Sequence, residues 1–245
     1  MADGIEVRGL RKRFGPKTVL EDVSFSVPPG QICGYLGANG AGKTTTFELL
    51  TGALRPDEGS IHVAGHPVAG DAIAAKRAIG YVPEKPSLYS LLSIREHLAL
   101  ISDLHGLDPR EAGKRGEALL EEMAIRDVAN RPVASLSKGQ KQKGLIVCAL
   151  LSDPQVLLFD EPLGGLDVMA SKKLRDRLRA LADEGRTVFY SSHVLDVVER
   201  LCDRTIVLHG GTIVADAPTA ELAAKAKKGT LEDAFHALVG AADAD

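Results

Sequence analysis

Eight residues constrain the fold of this 245-residue chain more than any other stretch. Gly37 to Thr44 read GANGAGKT, between a short apolar run, Gln31 to Leu36 (QICGYL), and a segment of helical character, TTTFELL. The spacing G-x-x-x-x-G-K-[ST] is that of a phosphate-binding loop, and it carries that meaning only between a strand and a helix. Both flanks are present. Glycine lets such a loop curl until backbone N–H groups converge on phosphate oxygens, and the helix start behind it adds partial positive charge. Lys43 supplies a full charge for the β and γ phosphates, and the Thr44 hydroxyl is suited to ligate Mg²⁺. The candidate nucleotide contacts are therefore Gly37, Ala38, Asn39, Gly40, Ala41, Gly42, Lys43, Thr44 and Thr45.

The rest of the chain repeats the strand-then-helix pattern. Val156 to Phe159 (VLLF), Thr187 to Tyr190 (TVFY) and Thr205 to Leu208 (TIVL) read as buried strands of a largely parallel sheet covered by helices. Ile5 to Leu10 and Val23 to Val27 differ: VSFSV alternates with period two, which predicts a small antiparallel sheet with one wet face. From about Ser87 to Ser152 strand signals vanish. There two capping boxes, Ser93 with Glu96 and Asp108 with Glu111 behind Pro109 at the first helical position, predict helix starts, and Ser137 with Gln140 further on has the same spacing. This predicts an α/β core (1–86 and 153–217), an inserted helical lobe (87–152) and a short helical tail (218–245), all within one domain.

A phosphate loop needs an acidic partner, and Val156 to Glu161 (VLLFDE) provides one. The two acids follow the strand at its carboxyl end, where open α/β sheets bind ligands. In that arrangement Asp160 would hold Mg²⁺, and Glu161 would orient or deprotonate the attacking water.

Composition narrows the function classes. With 44% apolar and 26% charged residues the chain is neither disordered nor membrane-embedded. The 30 Lys plus Arg against 33 Asp plus Glu leave a formal charge of -3, so no global positive field draws in nucleic acid. Without Trp and with 4% aromatics, the chain also lacks stacking platforms for single strands. Cys33, Cys148 and Cys202 are odd in number and far apart, which suits buried thiols in a reducing cytosol. The opening MADGIEVRGLRKRF holds no apolar stretch of signal-peptide length, and Leu145 to Leu151 falls far short of the roughly 20 residues that span a bilayer. His62 and His66 flank the Ala64–Gly65 turn signal and need not share a face, so no metal pair is expected. The charges of Lys172 to Arg186 fall at helical spacing around Leu174, Leu178 and Leu181, as on a solvated face.

Leu136 to Gln140 read LSKGQ. Together with the phosphate loop and the strand ending in Asp160 and Glu161, this run resembles the ATP-binding-cassette family of ATPases, over about Ile5 to Ala215. The resemblance implies a P-loop NTPase fold with a RecA-like core sheet, and ATP with Mg²⁺ as ligands. Phe14 then sits where an aromatic stacks on adenine, Glu84 where a Gln usually marks the Q-loop and contacts the metal, Asp167 in the D-loop (Gly165, Leu166, Asp167), and His193 at the switch histidine. The signature Ser137, Lys138, Gly139 and Gln140 would present a helix start to the nucleotide of a second copy, since the helical lobe should hold them away from the chain's own loop. Family cassettes pair head to tail in this way.

Two departures matter. Lys138 replaces the Gly of the commonest signature, and Glu84 replaces Gln. Both variants, the run SKGQKQK and the tail TLEDAFHALVG resemble cassettes of exporters whose permeases are separate proteins. The expected protein is thus an ATPase subunit, peripheral on the cytoplasmic face of the membrane, that drives transmembrane permease subunits and has no nucleic-acid partner. The alternative is a soluble cassette acting as an ATP-gated clamp, although such proteins usually carry long coiled-coil insertions or a second cassette. A GTPase reading lacks its NKxD motif.

Overall fold

The computed structural model describes residues 4–70, 72–226 and 229–242; the outermost residues of the predicted domain, 1–3 and 243–245, lie outside this range. The chain opens with β1 (Ile5–Phe14), β2 (Lys17–Val27), β3 (Ile32–Gly37), α1 (Lys43–Leu50), β4 (Glu58–Val63), β5 (His66–Pro67), α2 (Ala72–Arg77) and β6 (Ile79–Val82). Three helices follow, α3 (Ile94–His105), α4 (Pro109–Glu122) and α5 (Lys138–Leu150), with two short 3₁₀ turns before the last. The remaining elements are β7 (Val156–Asp160), α6 (Val168–Asp183), β8 (Thr187–Ser191), α7 (Leu195–Leu201), β9 (Arg204–His209), β10 (Thr212–Pro218), α8 (Thr219–Lys225) and α9 (Leu231–Ala242).

These strands form two sheets. A four-stranded antiparallel sheet has the order β2-β1-β4-β5, and a six-stranded sheet has the order β10-β9-β3-β8-β7-β6. In the larger sheet only β10 runs antiparallel to its neighbour. The expectation of a small antiparallel sheet beside a mainly parallel one therefore holds. Strand alternation sends Cys33 and Tyr35 to one face of the large sheet and Ile32 and Leu36 to the other, so the sheet divides two apolar cores. The core that holds Tyr35 contains an aromatic cluster, in which Phe189 stacks on Phe25 at 5.3 Å and lies 4.9 Å from Tyr35, while Phe159 and Tyr190 lie in the other core.

All three predicted helix starts are present, but only two of the three capping boxes close. Ser93 and Ser137 each form a reciprocal capping box, while the Asp108 side chain accepts from the N–H groups of Arg110 and Glu111. Strand prediction missed β4, β5, β6 and β10. Short apolar content hides β6, whose Gly80 packs so closely that a Cβ would meet the Ala149 carbonyl oxygen at 2.4 Å. Edge position hides β10, where Asp216 and Pro218 are tolerated because, among the described residues, only β9 pairs with the strand. β1 also runs past its predicted end to Phe14, because Lys12, Arg13 and Phe14 pair with Leu20, Thr18 and Lys17 of β2; Lys12 and the Arg13 N–H also bond the Asp57 carboxylate.

All three cysteines are buried, as expected. Burial pushes the Cys148 thiol up to about 12 and raises Cys33 and Cys202 as well. Because the thiolate is the reactive form, no cysteine of the native protein should react with a chromogenic disulfide at pH 8, and all three should react in denaturant. The unfolded thiols ionise above about pH 8.5 while the native ones stay protonated, so these groups also make stability fall as pH rises through that range. A thiol that reacts natively at its denatured rate would contradict the packing.

Candidate active site

The phosphate loop is wedged between β2 and β9. Gly42 caps α1 at φ 112, and a Cβ on it would lie 2.7 Å from Leu20 Cδ2 and 3.0 Å from the Val19 oxygen, so both backbone angle and space demand glycine here. Buried Thr46 ties the loop down: its hydroxyl donates to the Gly42 oxygen at 3.1 Å and pairs with the Tyr35 hydroxyl at 3.1 Å. Lys43 folds over the loop, donating to the Gly37 oxygen at 2.6 Å and the Ala38 oxygen at 3.2 Å. Asn39 and Gly40 are exposed at the tip, Ala41 is buried, and Thr44 and Thr45 open the helix.

The acids stand beside this loop. Asp160 ends β7 and is 1% exposed. Its Oδ2 accepts from the Thr44 hydroxyl at 3.1 Å and its Oδ1 from the Ser191 hydroxyl at 2.5 Å. Burial raises the Asp160 carboxyl; the Ser191 and Thr44 hydrogen bonds and the Lys43 charge pull it down, and the Glu84 charge pushes it up. A buried carboxylate short of positive charge, sharing a point with the Thr44 hydroxyl oxygen, fits a hard divalent cation that prefers oxygen donors.

Glu161 sits at φ 50, left-handed backbone that non-glycine residues seldom adopt. Its N–H points to the Ser191 carbonyl at 3.2 Å and the Ser191 hydroxyl at 3.3 Å. Its carboxylate Oε2 lies 2.8 Å from His193 Nδ1, with the His193 side chain 76% exposed and that of Glu161 17%. The two residues thus form a polar pair at the open edge of the site.

The remaining predicted residues are spread around this centre. Phe14 is 47% exposed, with Lys12 Nζ 5.5 Å from its ring centroid, leaving ring surface free for stacking. Glu84 is exposed and, among the described residues, hydrogen-bonds neither Asp160 nor Thr44; it acts on Asp160 through repulsion. His62 and His66 lie on β4 and β5, and the described residues assemble no metal-holding group of three His, Cys, Asp or Glu.

Ser137 caps α5, accepting from the Gln140 N–H at 3.2 Å while its own N–H donates to Gln140 Oε1 at 2.9 Å. No hydrogen bond among the described residues links Ser137, Lys138, Gly139 or Gln140 to the phosphate loop. Instead this helix is fastened to the segment after Glu161. A Cβ on Gly139 would lie 2.6 Å from the Gly165 oxygen, buried Gln142 donates to the Pro162 oxygen at 2.9 Å, and Lys143 pairs with Asp167 at 3.0 Å. Asp167 also caps α6 through the Ala170 N–H, the main reason its carboxyl is lowered. Beyond it Val168 and Met169 are 84% and 66% exposed.

Sequence reasoning did not single out Ser191, Gln142 or Lys143. Ser191 was legible only as a strand end, and Gln142 and Lys143 as part of the run SKGQKQK.

Known proteins supply the family. Residues 20–164, more than half of the chain, match the family model described as ABC transporter. A "Nod factor export ATP-binding protein I" of Ralstonia nicotianae is 38% identical over 218 residues, 89% of this chain and 68% of that protein. A solved "ATP binding subunit of ABC transporter" superimposes with a TM-score of 0.91 at 34% identity, covering 96% of this chain and 98% of the other. The "Dimeric Structure of MJ0796, a Bacterial ABC Transporter Cassette" does so at 0.80 and 25% identity, covering 88% and 98%. The phosphate loop, the buried acid beside it and these relatives converge on one conclusion: the chain belongs to the ABC transporter family, as an ATP-binding and ATP-hydrolysing cassette subunit.

Proposed function

We propose that this cassette hydrolyses ATP between two copies of itself arranged head to tail, and that separate permease subunits use the resulting motion for export. One observation carries the reading. Thr44 of the loop bonds Asp160, whose chain neighbour Glu161 pairs with His193, whereas among the described residues Ser137 to Gln140 of the same chain make no hydrogen bond to the loop or to these groups. A second copy can bring that helix start to the nucleotide, and exposed Val168 and Met169 beside Asp167 offer apolar surface for the contact. The dimeric state reported for the MJ0796 cassette supports this arrangement.

In the proposed site the loop from Gly37 to Thr45 cradles the phosphates, and Lys43 leaves its carbonyl partners for the β and γ phosphates. Phe14 stacks on adenine. Thr44 and Asp160, with Glu84 facing them, would hold Mg²⁺, which when bound neutralises charge on the phosphates. Glu161 takes a proton from the attacking water, and His193, paired with Glu161, faces the γ phosphate.

Export is supported by the function printed for the Ralstonia relative, and the signature variant points the same way. Separate permeases are supported by the solved relative, which is printed as the ATP binding subunit of an ABC transporter. In this reading the cassette works on the inner face of the membrane and comprises a core of 1–86 and 153–217, a lobe of 87–152 that carries the signature and a tail of 218–245.

Three outcomes test the site. Lys43→Ala should lose about 2–3 kcal/mol of ATP affinity, roughly 30- to 150-fold, by calorimetry; parent-like binding would remove Lys43 from the phosphates. Glu161→Gln should bind ATP but turn over at least about a hundredfold more slowly. Its mass by light scattering should double with ATP and only then, so a monomer in saturating ATP would refute the sandwich. Glu84→Gln should show a shallower Mg²⁺ dependence of ATP affinity than the parent, because it removes a negative charge beside the phosphates. Equal dependence in the two proteins would make Glu84 a bystander.

A further inference from the structure

β8 lies between β3, which feeds the phosphate loop, and β7, which carries Asp160. Its last residue, Ser191, is level with Tyr35 on one side and with Asp160 on the other. Here the residue is 0% exposed, at the end of a strand whose other residues, Thr187, Val188, Phe189 and Tyr190, are buried as well. A hydroxyl at such a depth is unfavourable unless partnered, and an apolar residue would fill the strand as well. The partners of Ser191 explain its presence.

We infer that Ser191 is a positioning residue for hydrolysis: one hydroxyl fixes the rotation of the Asp160 carboxylate and holds the left-handed turn that aims Glu161. The inference rests on the assignment of Asp160 to the metal and Glu161 to the water. The Ser191 hydroxyl donates to Asp160 Oδ1 at 2.5 Å, within the range of charge-assisted O–H···O⁻ bonds, and stands 3.3 Å from the Glu161 N–H as an acceptor. The Ser191 carbonyl takes the same N–H at 3.2 Å. With φ at 50, Glu161 keeps its conformation only if its surroundings impose it, and Ser191 contributes two of the atoms that do so.

Asp160 is held from both sides, yet the two holds differ. Thr44 is exposed and its hydroxyl must turn toward a cation once one is bound, which frees Oδ2. The Ser191 bond to Oδ1 is buried and stays. The carboxylate is thus anchored through one oxygen while the other is free to become a ligand.

The test uses the full chain with Ser191→Ala, Ser191→Thr and Ser191→Val, and Asp160→Asn as a control. Threonine and valine are nearly equal in volume, so their difference reports the hydroxyl rather than packing. Mn²⁺ affinity of the ADP-loaded protein is read by electron paramagnetic resonance, folding by thermal melting, and turnover as separate kcat and KM for ATP. Losing one charge-assisted bond should weaken Mn²⁺ binding about tenfold in the alanine and valine variants. Their kcat should fall with KM within about twofold of the parent, and ATP binding in chelator should not change. The threonine variant should keep parent-like Mn²⁺ affinity and kcat while melting with the valine one. Parent-like Mn²⁺ affinity and kcat in Ser191→Ala, or equal loss in Thr and Val, would overturn the inference. Should Asp160→Asn bind Mn²⁺ as tightly as the parent, the metal assignment itself fails and the inference with it. If Asp160→Asn weakens binding and Ser191→Ala does not, Ser191 alone is dismissed.

Discussion

A carboxylate buried at the end of a strand is unfavourable unless its oxygens are partnered, and the rest of the site is arranged around it. Asp160 is almost wholly out of water, and burial disfavours its charged form. Two hydroxyls and the Lys43 ammonium act against that, one hydroxyl from α1 and the other from β8. These groups can meet only because β8 intervenes between β3 and β7. Were β3 and β7 direct neighbours, Asp160 would lie beside the phosphate-loop strand and have no place for Ser191. Strand order, a property of the whole sheet, thus sets the chemistry of one side chain.

A second constraint joins the signature helix to the catalytic segment. Gly139 packs on Gly165, Gln142 binds the Pro162 carbonyl and Lys143 pairs with Asp167. These contacts span the stretch from the residue after Glu161 to the cap of α6, so the start of α5 is tied directly to the loop that follows Glu161. In the proposed head-to-tail pair the helix start serves the partner's nucleotide and the acid serves the chain's own. The lone glycine of the LSKGQ signature keeps this contact close: a side chain at Gly139 would strike backbone.

Local signals carried much of this reading. The phosphate loop, the acids after VLLF and the three helix caps are short-range patterns whose meaning lies in adjacent residues, and each stands in the structure where spacing placed it. The antiparallel sheet was visible in the alternation of VSFSV. Strands β4, β5, β6 and β10 were not, because they are short, marginal in apolar content, or at an edge, and owe their form to the strands they pair with.

What the sequence by itself determined is the chemistry available: a loop that binds phosphate, acids that follow a buried strand, a histidine after another, and a capped signature helix. Only the tertiary structure decided which of these meet. It paired Glu161 with His193, bound Asp160 between Thr44 and Ser191, left Glu84 acting on Asp160 by repulsion alone, and fastened Lys143 to Asp167. The physical reason is sequence distance. Asp160 and Ser191 are 31 residues apart and Thr44 and Asp160 are 116 apart, so no periodicity or motif spacing encodes their contact. Sheet order and strand register encode it, through the packing of the two cores that the large sheet divides.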